Sequence, residues 1–343
     1  TVSGKLSGIN KMKTILVVTD NVPDQINGVV TTFHNLEREA NRHGYDFIYC
    51  DPRQFPNCGA PGYGDIRLSW PRKIGEVLER VNPQYVHIAT EGPLGLAARC
   101  WMDKHGWRYN TSYHTKLPEA IQKYYKIPKS WTYRYLRWFH KHSGKVLATT
   151  VSMVDELKQR GFCGDIVPWT RGVDRQQFYP AEDFRKTPYP TLLWVGRVAP
   201  EKSCEDFCKL DYLGAKKIVV GDGPQLDYLR SKYPEVEFVG MQTGKNLAHY
   251  YQHADCLVFT SRWDTFGIVM LESMACGTPV AAYPVCGPQD VIELDRTGYT
   301  SPDLKLAVIR ALSIPRHVVV VASYRWSWEK CWQIFEYNLI RRL

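Results

Sequence analysis

The stretch Ser261-Arg262-Trp263-Asp264-Thr265-Phe266-Gly267-Ile268-Val269-Met270-Leu271-Glu272, closed by Ala275-Cys276-Gly277-Thr278-Pro279, decides how this chain is read. It follows the apolar run Cys256–Thr260, passes an acid and a glycine, and then reads as a helix that stops at Gly277, where glycine suits the left-handed turn beyond a helix end. A strand feeding a helix through such a loop is the repeating unit of a parallel α/β sheet. The amides around Phe266, Gly267 and Ile268 form the helix N-terminus, and such amides point at an anion. Glu272 follows about five residues on, ~7–8 Å along the axis at 1.5 Å per residue, which fits a diphosphate at the helix tip and a ribose beside its second turn. A carboxylate there accepts hydrogen bonds from two vicinal hydroxyls. The alternative, a solvated helix face, is set against the apolar neighbours Met270, Leu271 and Ala275.

Outward from this segment the same unit recurs. Thr191–Gly196, Lys217–Val220, Glu237–Gly240 and Pro279–Tyr283 join Cys256–Thr260 as short apolar runs, with helical segments such as Glu205–Lys209 and Pro224–Lys232 between them. A first series precedes it: Thr14–Thr19, Phe47–Cys50, Tyr85–Ala89, Tyr109–Tyr113, Val146–Thr149 and Asp165–Val167. Two α/β domains are expected, and 343 residues suffice for two cores. Pro180–Pro190 mixes charges with prolines and lacks an apolar period, so the boundary is expected there, dividing 12–182 from 183–325. Residues 326–343 read as an aromatic amphipathic helix that folds back, with the N-terminal domain as its expected partner. Residues 1–11 are polar and read as a leader or expression remnant outside the fold.

In parallel sheets ligands gather at the carboxyl ends of the strands, so three further loops matter. Gly196-Arg197-Val198-Ala199-Pro200-Glu201-Lys202 carries a guanidinium and an ammonium on one loop, which suits a diphosphate; a solvated basic loop is the alternative. Asp20–Thr32 contains Gly28 at the opening of a helix, which either admits a phosphate or only makes a turn. Val219-Val220-Gly221-Asp222-Gly223-Pro224 either covers a nucleotide or only shapes its turn. Neither sheet opens with GxGxxG, which disfavours a dinucleotide oxidoreductase.

These pieces resemble the retaining GT-B glycosyltransferases of the family that includes sucrose synthases and bacterial α-mannosyltransferases, glycosyltransferase family 4. Its hallmark is an acid, seven residues, then Glu, matched by Asp264 and Glu272. The likeness runs from Met12 onward through DQINGVV, HIATEGPLG, SYHTKLPE, WTRGVD, GRVAPEKS and VVGDGP, and is strongest to GDP-mannose-dependent α-mannosyltransferase-like proteins. It implies two Rossmann-like domains facing each other across a deep cleft. It implies that Arg197 and Lys202 bind the donor diphosphate, that Asp264 contacts the transferred sugar, and that Thr265, Phe266, Gly267 and Ile268 line the donor with their backbone. Glu272 would hold the ribose, Gly28, Gly196 and Gly223 would line the donor cleft, and His114, counted with Arg197, Lys202 and Asp264 as a catalytic residue, would sit near the sugar and the acceptor. The donor is a GDP- or UDP-sugar, with no permanently bound cofactor and no metal. Asp264 is a methylene shorter than the Glu common in the wider family, which leaves the sugar open.

Composition bounds the partners. Net charge is +9, and no apolar run approaches the ~20 residues of a membrane-spanning helix, so a cytoplasmic enzyme that touches a membrane surface without crossing it is expected. The ten cysteines lack CxxC spacing and read as reduced thiols. Between Lys116 and Lys145 eight Lys or Arg residues, Lys123, Lys126, Lys129, Arg134 and Arg137 among them, face one acid, Glu119, and interleave with aromatic residues. Three readings compete: an anionic membrane or glycan acceptor surface, a DNA backbone in a base-glycosylating enzyme, or a solvated helix face over plain core. A non-catalytic sugar-nucleotide-binding protein is the alternative of another class.

Overall fold

The structure is a computed structural model, and it describes residues 12–60, 63–184, 188–212 and 214–342. The expected leader at 1–11 lies outside the described residues. The first sheet contains β1 (Lys13–Val18), β2 (Tyr45–Cys50), β5 (Tyr85–Ile88), β6 (Asn110–Tyr113), β7 (Val146–Ala148) and β8 (Ile166–Pro168), in the order β2-β1-β5-β6-β7-β8. A hairpin of β3 (Asn57–Ala60) and β4 (Tyr63–Ser69) stands outside it. The second sheet contains β9 (Thr191–Val195), β10 (Lys216–Val220), β11 (Glu237–Phe238), β12 (Cys256–Phe259), β13 (Val280–Ala282) and β14 (Gly298–Thr300), in the order β11-β10-β9-β12-β13-β14. Every pairing within the two sheets is parallel. The molecule therefore has the GT-B architecture of two Rossmann-like sheets.

The strand orders place the switch points. In the second sheet the order reverses between β9 and β12, and in the first between β1 and β5. At such a reversal the flanking loops leave in opposite directions and open a crevice. The β1/β5 crevice is filled by protein: Asp20 Oδ1 accepts from the Leu94 amide at 2.8 Å, and Thr90 Oγ1 donates to its Oδ2 at 2.7 Å. Asp20 thereby caps the helix Pro93–His105, and burial pushes its carboxyl up to about 6.

The crossing between domains comes earlier than composition suggests. Trp169 is buried in the first domain's core, yet Val173 and Phe178 already belong to the second, upstream of the expected boundary at 182/183. The chain returns at 326–328: Trp326 packs against the second core, and Trp328 lies in the first. The two crossings touch at Gly172, where any Cβ would overlap the Ser327–Trp328 backbone. Trp169 Nε1 donates to the Cys331 carbonyl at 3.1 Å beside it. The returning helix Trp328–Tyr337 buries Trp328, Cys331, Trp332 and Phe335 with Phe33, Tyr45 and Phe47 of the first sheet's core.

Candidate functional site

The loops after β9 and β12 meet at the second switch point. Lys202 closes the short turn Pro200–Lys202, and its Nζ reaches Asp264 Oδ1 at 2.5 Å. Thr260 Oγ1 accepts from Trp194 Nε1 at 2.9 Å and donates to the Lys202 carbonyl at 2.9 Å, which ties the two loops together below that pair. Arg197 is half-buried on the same loop. The Val198 amide donates to the Asp222 carbonyl at 2.9 Å, so the loop after β10 lies directly on this one. A Cβ at Gly223 would stand 2.5 Å from the Val198 carbonyl oxygen, and one at Gly221 would overlap that of Gly196. Close backbone approach thus explains why glycines stand at 221 and 223 of VVGDGP.

After Asp264 the chain is bolted to the other domain. Asp264 forms an antiparallel bridge with Thr115, Thr265 Oγ1 donates to the His114 carbonyl at 2.5 Å, and Thr149 Oγ1 donates to the Thr265 carbonyl at 2.8 Å. The buried Phe266 ring meets Trp326 edge-on at 5.5 Å. The Thr265 side chain is therefore used for domain contact and the Phe266 ring is packed in the second core, so their backbone is what the cleft can use. Gly267 has φ +89°, a conformation that favours glycine, and starts the helix Ile268–Ala275 with no side-chain cap. Among the described residues no side chain caps the first-turn amides there.

Gly28 sits opposite: a Cβ added to it would stand 3.8 Å from Ile268 Cδ1. It opens the helix Gly28–Arg42, but Asn27 Oδ1 already accepts from the Val29 and Val30 amides at 3.0 Å each. That helix end is capped by its own chain, so Gly28 offers close approach rather than an amide nest. Glu272 lies one turn inside the other helix, where burial pushes its carboxyl up to about 7 against the opposing hydrogen bond from Tyr251 Oη at 2.8 Å.

His114 has both ring nitrogens occupied. Arg171, 2% exposed, donates from Nη2 to His114 Nδ1 at 2.9 Å, and guanidinium has only donors. Nδ1 is thus the acceptor, and Nε2–H donates to Ser112 Oγ at 2.8 Å. Ser112 Oγ in turn reaches His87 Nε2 at 3.0 Å. Burial and the Arg171 charge hold the His114 imidazole neutral, well below the usual histidine range, and burial takes His87 down to about 3. The WTRGVD motif contained Arg171, but nothing in the sequence marked it as the partner of His114. The pairing depends on β6 and β8 being separated by β7 alone in the sheet.

The basic stretch 116–145 divides. The helix Lys129–His140 buries Thr132, Tyr133, Leu136, Phe139 and His140, whereas of Tyr135, Trp138 and Phe139, whose helical spacing points to a core face, Tyr135 is half-buried and Trp138 is 45% exposed. Arg134 is exposed, and Arg137 turns to the Arg160 carbonyl at 3.1 Å. Lys123, Lys126 and Lys129 instead line a recess of about 600 Å³ with Glu119, Gln122 and Trp263.

With this geometry the comparisons with known proteins agree. Residues 26–177 match the family described as Glycosyltransferase Family 4, and residues 189–313 match Glycosyl transferases group 1. The chain belongs to glycosyltransferase family 4. It is a glycosyltransferase of the mannosyltransferase-like kind. It is 28% identical over 316 residues to a GDP-mannose-dependent α-mannosyltransferase of Corynebacterium glutamicum, covering 83% of this chain and 75% of that one. To the protein of the same description from Mycobacterium tuberculosis it is 28% identical over 317 residues, 84% of this chain and 83% of the relative. Sucrose-phosphate synthase from Thermosynechococcus elongatus shares the fold with a TM-score of 0.73 at 20% identity, over 95% of this glycosyltransferase and 98% of that chain. Anabaena HepE with UDP-glucose superposes with a TM-score of 0.70 at 15% identity, over 95% and 98%. Among the described residues no single helix is long and apolar enough to cross a membrane.

Proposed function

We propose that this glycosyltransferase moves a hexose or related sugar from a nucleoside-diphosphate sugar to a hydroxyl of a lipid-linked or glycan acceptor, with retention of anomeric configuration. The observation that carries the reading is the meeting of Lys202, Asp264 and the uncapped helix start at Gly267 at the β9/β12 switch point, with Glu272 one turn farther in. Sugar–phosphate cleavage builds negative charge on the leaving diphosphate, so fixed cationic and amide donors aimed at it lower the barrier. Arg197, Lys202 and the amides of Gly267 and Ile268 supply them. Asp264 exchanges its Lys202 partner for hydroxyls of the sugar, and Glu272 takes the ribose diol. Same-face attack, with the leaving phosphate removing the acceptor proton, needs no protein nucleophile. His114, neutral and bonded at both nitrogens, shapes the pocket and transfers no proton. The names of the GDP-mannose-dependent relatives favour a GDP-sugar; UDP remains in the panel below. With the chain crossing between Trp169 and Val173, the acceptor takes the N-terminal wall of the cleft and the donor the C-terminal wall. A DNA acceptor finds no support among the relatives.

Incubation with a panel of GDP-, UDP- and ADP-sugars, with product followed by proton NMR, tests this. One donor should give a glycoside with the donor's own anomeric configuration; an inverted product overturns the retaining assignment. Arg197→Ala and Lys202→Ala should each lower turnover by about 10²–10³, the usual loss for one transition-state donor, and unchanged turnover in both removes them from the site.

A further inference from the structure

The recess of about 600 Å³ beside the cleft is walled by both domains: the helix Leu117–Tyr125 and its exit supply Lys123 and Lys126, and the second domain supplies Trp263. Lys123 Nζ stands 4.9 Å from the centre of the Trp263 ring. Trp263 immediately precedes Asp264, so the recess adjoins the end of the site assigned above to the transferred sugar. The one acid in its lining, Glu119, is engaged: Lys129 Nζ lies 3.3 Å from its Oε1. Lys123 and Lys126 form no ion pair among the described residues. Lys126 also holds φ +59° at the end of its helix, a backbone that glycine adopts without strain. A lysine there keeps a charge at the rim at the expense of local backbone preference.

We propose that this recess is the phosphate subsite of the acceptor: a phosphate ester on the acceptor is seated by Lys123 and Lys126, with the Trp263 indole as the apolar wall for the group that carries it. The subsite rests on the glycosyl-transfer reading and narrows its acceptor to an anionic one. The phosphate is either that of a membrane lipid headgroup or that of a free phosphate ester, and both present the same oxygens to the lysines.

The test uses the full chain with two probes: glycerol 3-phosphate, with glycerol as its control, followed by calorimetry; and phosphatidylglycerol vesicles, with phosphatidylcholine as theirs, followed by flotation. The variants are Lys123→Glu/Lys126→Glu, Lys126→Gly, and Arg134→Glu, an exposed residue outside the recess. Wild type and Arg134→Glu should bind at least one phosphate probe, and the double variant should bind it about tenfold or more weakly. Lys126→Gly should weaken binding severalfold with an unchanged or higher Tm, which separates the lost charge from lost folding. Binding of the soluble ester alone assigns a free phosphate acceptor, and binding of the anionic vesicle alone assigns a lipid headgroup. The proposal is overturned if wild type binds neither probe, if the double variant binds as wild type does, or if Arg134→Glu weakens binding as much. Thermal stabilisation by nucleoside diphosphate, read in the same samples, should be equal in all four proteins. Its absence from wild type sinks the donor reading instead of the subsite.

Discussion

Glu272 is held where a charge is costly. Burial raises its carboxyl from 4.5 to about 7, so between those values the folded protein keeps a proton that the unfolded chain releases. The contribution of that proton to stability is complete below the unfolded value and is lost as pH rises through about 7. Glu272→Gln should therefore raise unfolding free energy at pH 8 by about 1–3 kcal/mol and have little effect at pH 5, measured by denaturant titration. Equal effects at both pH values would contradict the assignment. Donor affinity should move the other way, falling as pH drops below 7 in the wild type and staying flat and weak in Glu272→Gln, because a protonated carboxyl is a poor partner for a diol. The sequence made Glu272 legible through its distance from Gly267 and its apolar neighbours. It gave no sign of Tyr251, which reaches Glu272 from the helix Gly244–His253 twenty-odd residues upstream, nor of the Arg171–His114–Ser112 line, whose members meet only once β6 to β8 are paired.

At the scale of the element, glycines separate structure from ligand approach. Gly172 lies against the Ser327–Trp328 backbone where the chain passes out of and back into the first domain, whereas a Cβ at Gly28 would meet Ile268 Cδ1 at the ordinary contact distance of 3.8 Å. Gly172→Ala should cost about 1–3 kcal/mol or more, as overpacking against immovable backbone does, and should lower Tm. Gly28→Ala should leave Tm unchanged while weakening donor binding, since its Cβ enters space left for the ligand. If Gly28→Ala destabilises as much as Gly172→Ala, its role is structural. Eleven of the strands were legible because alternation with helices and apolar runs of three to six residues mark a parallel sheet. The β3–β4 hairpin was not, since NCGA and YGDIRLS carry little apolar period, and neither was β14, whose GYT lacks the apolar run that marks the other short strands.

For the whole molecule, connectivity explains which crevice is free. Each sheet has one reversal of strand order, but the Asp20 cap and Thr90 fill that of the first, while that of the second is lined by Lys202, Asp264 and an uncapped helix start. The two-domain organisation was legible from the restart of the strand series. The position of the crossing was not: a proline-rich stretch drew the boundary downstream, although Val173 and Phe178 had already entered the second core. Proline content reports where regular structure stops, and core membership depends on contacts distant in sequence. The central claim is that the β9/β12 crevice holds a nucleoside diphosphate. A ligand that binds only the folded state at 100 times its Kd adds about 2.7 kcal/mol to apparent stability. The most direct measurement is thermal unfolding of wild type, Arg197→Ala and Lys202→Ala with GDP and with UDP. One nucleotide should raise the wild-type Tm by several degrees and leave both variants nearly unmoved; an equal rise in all three proteins, or none in wild type with either nucleotide, would contradict the account.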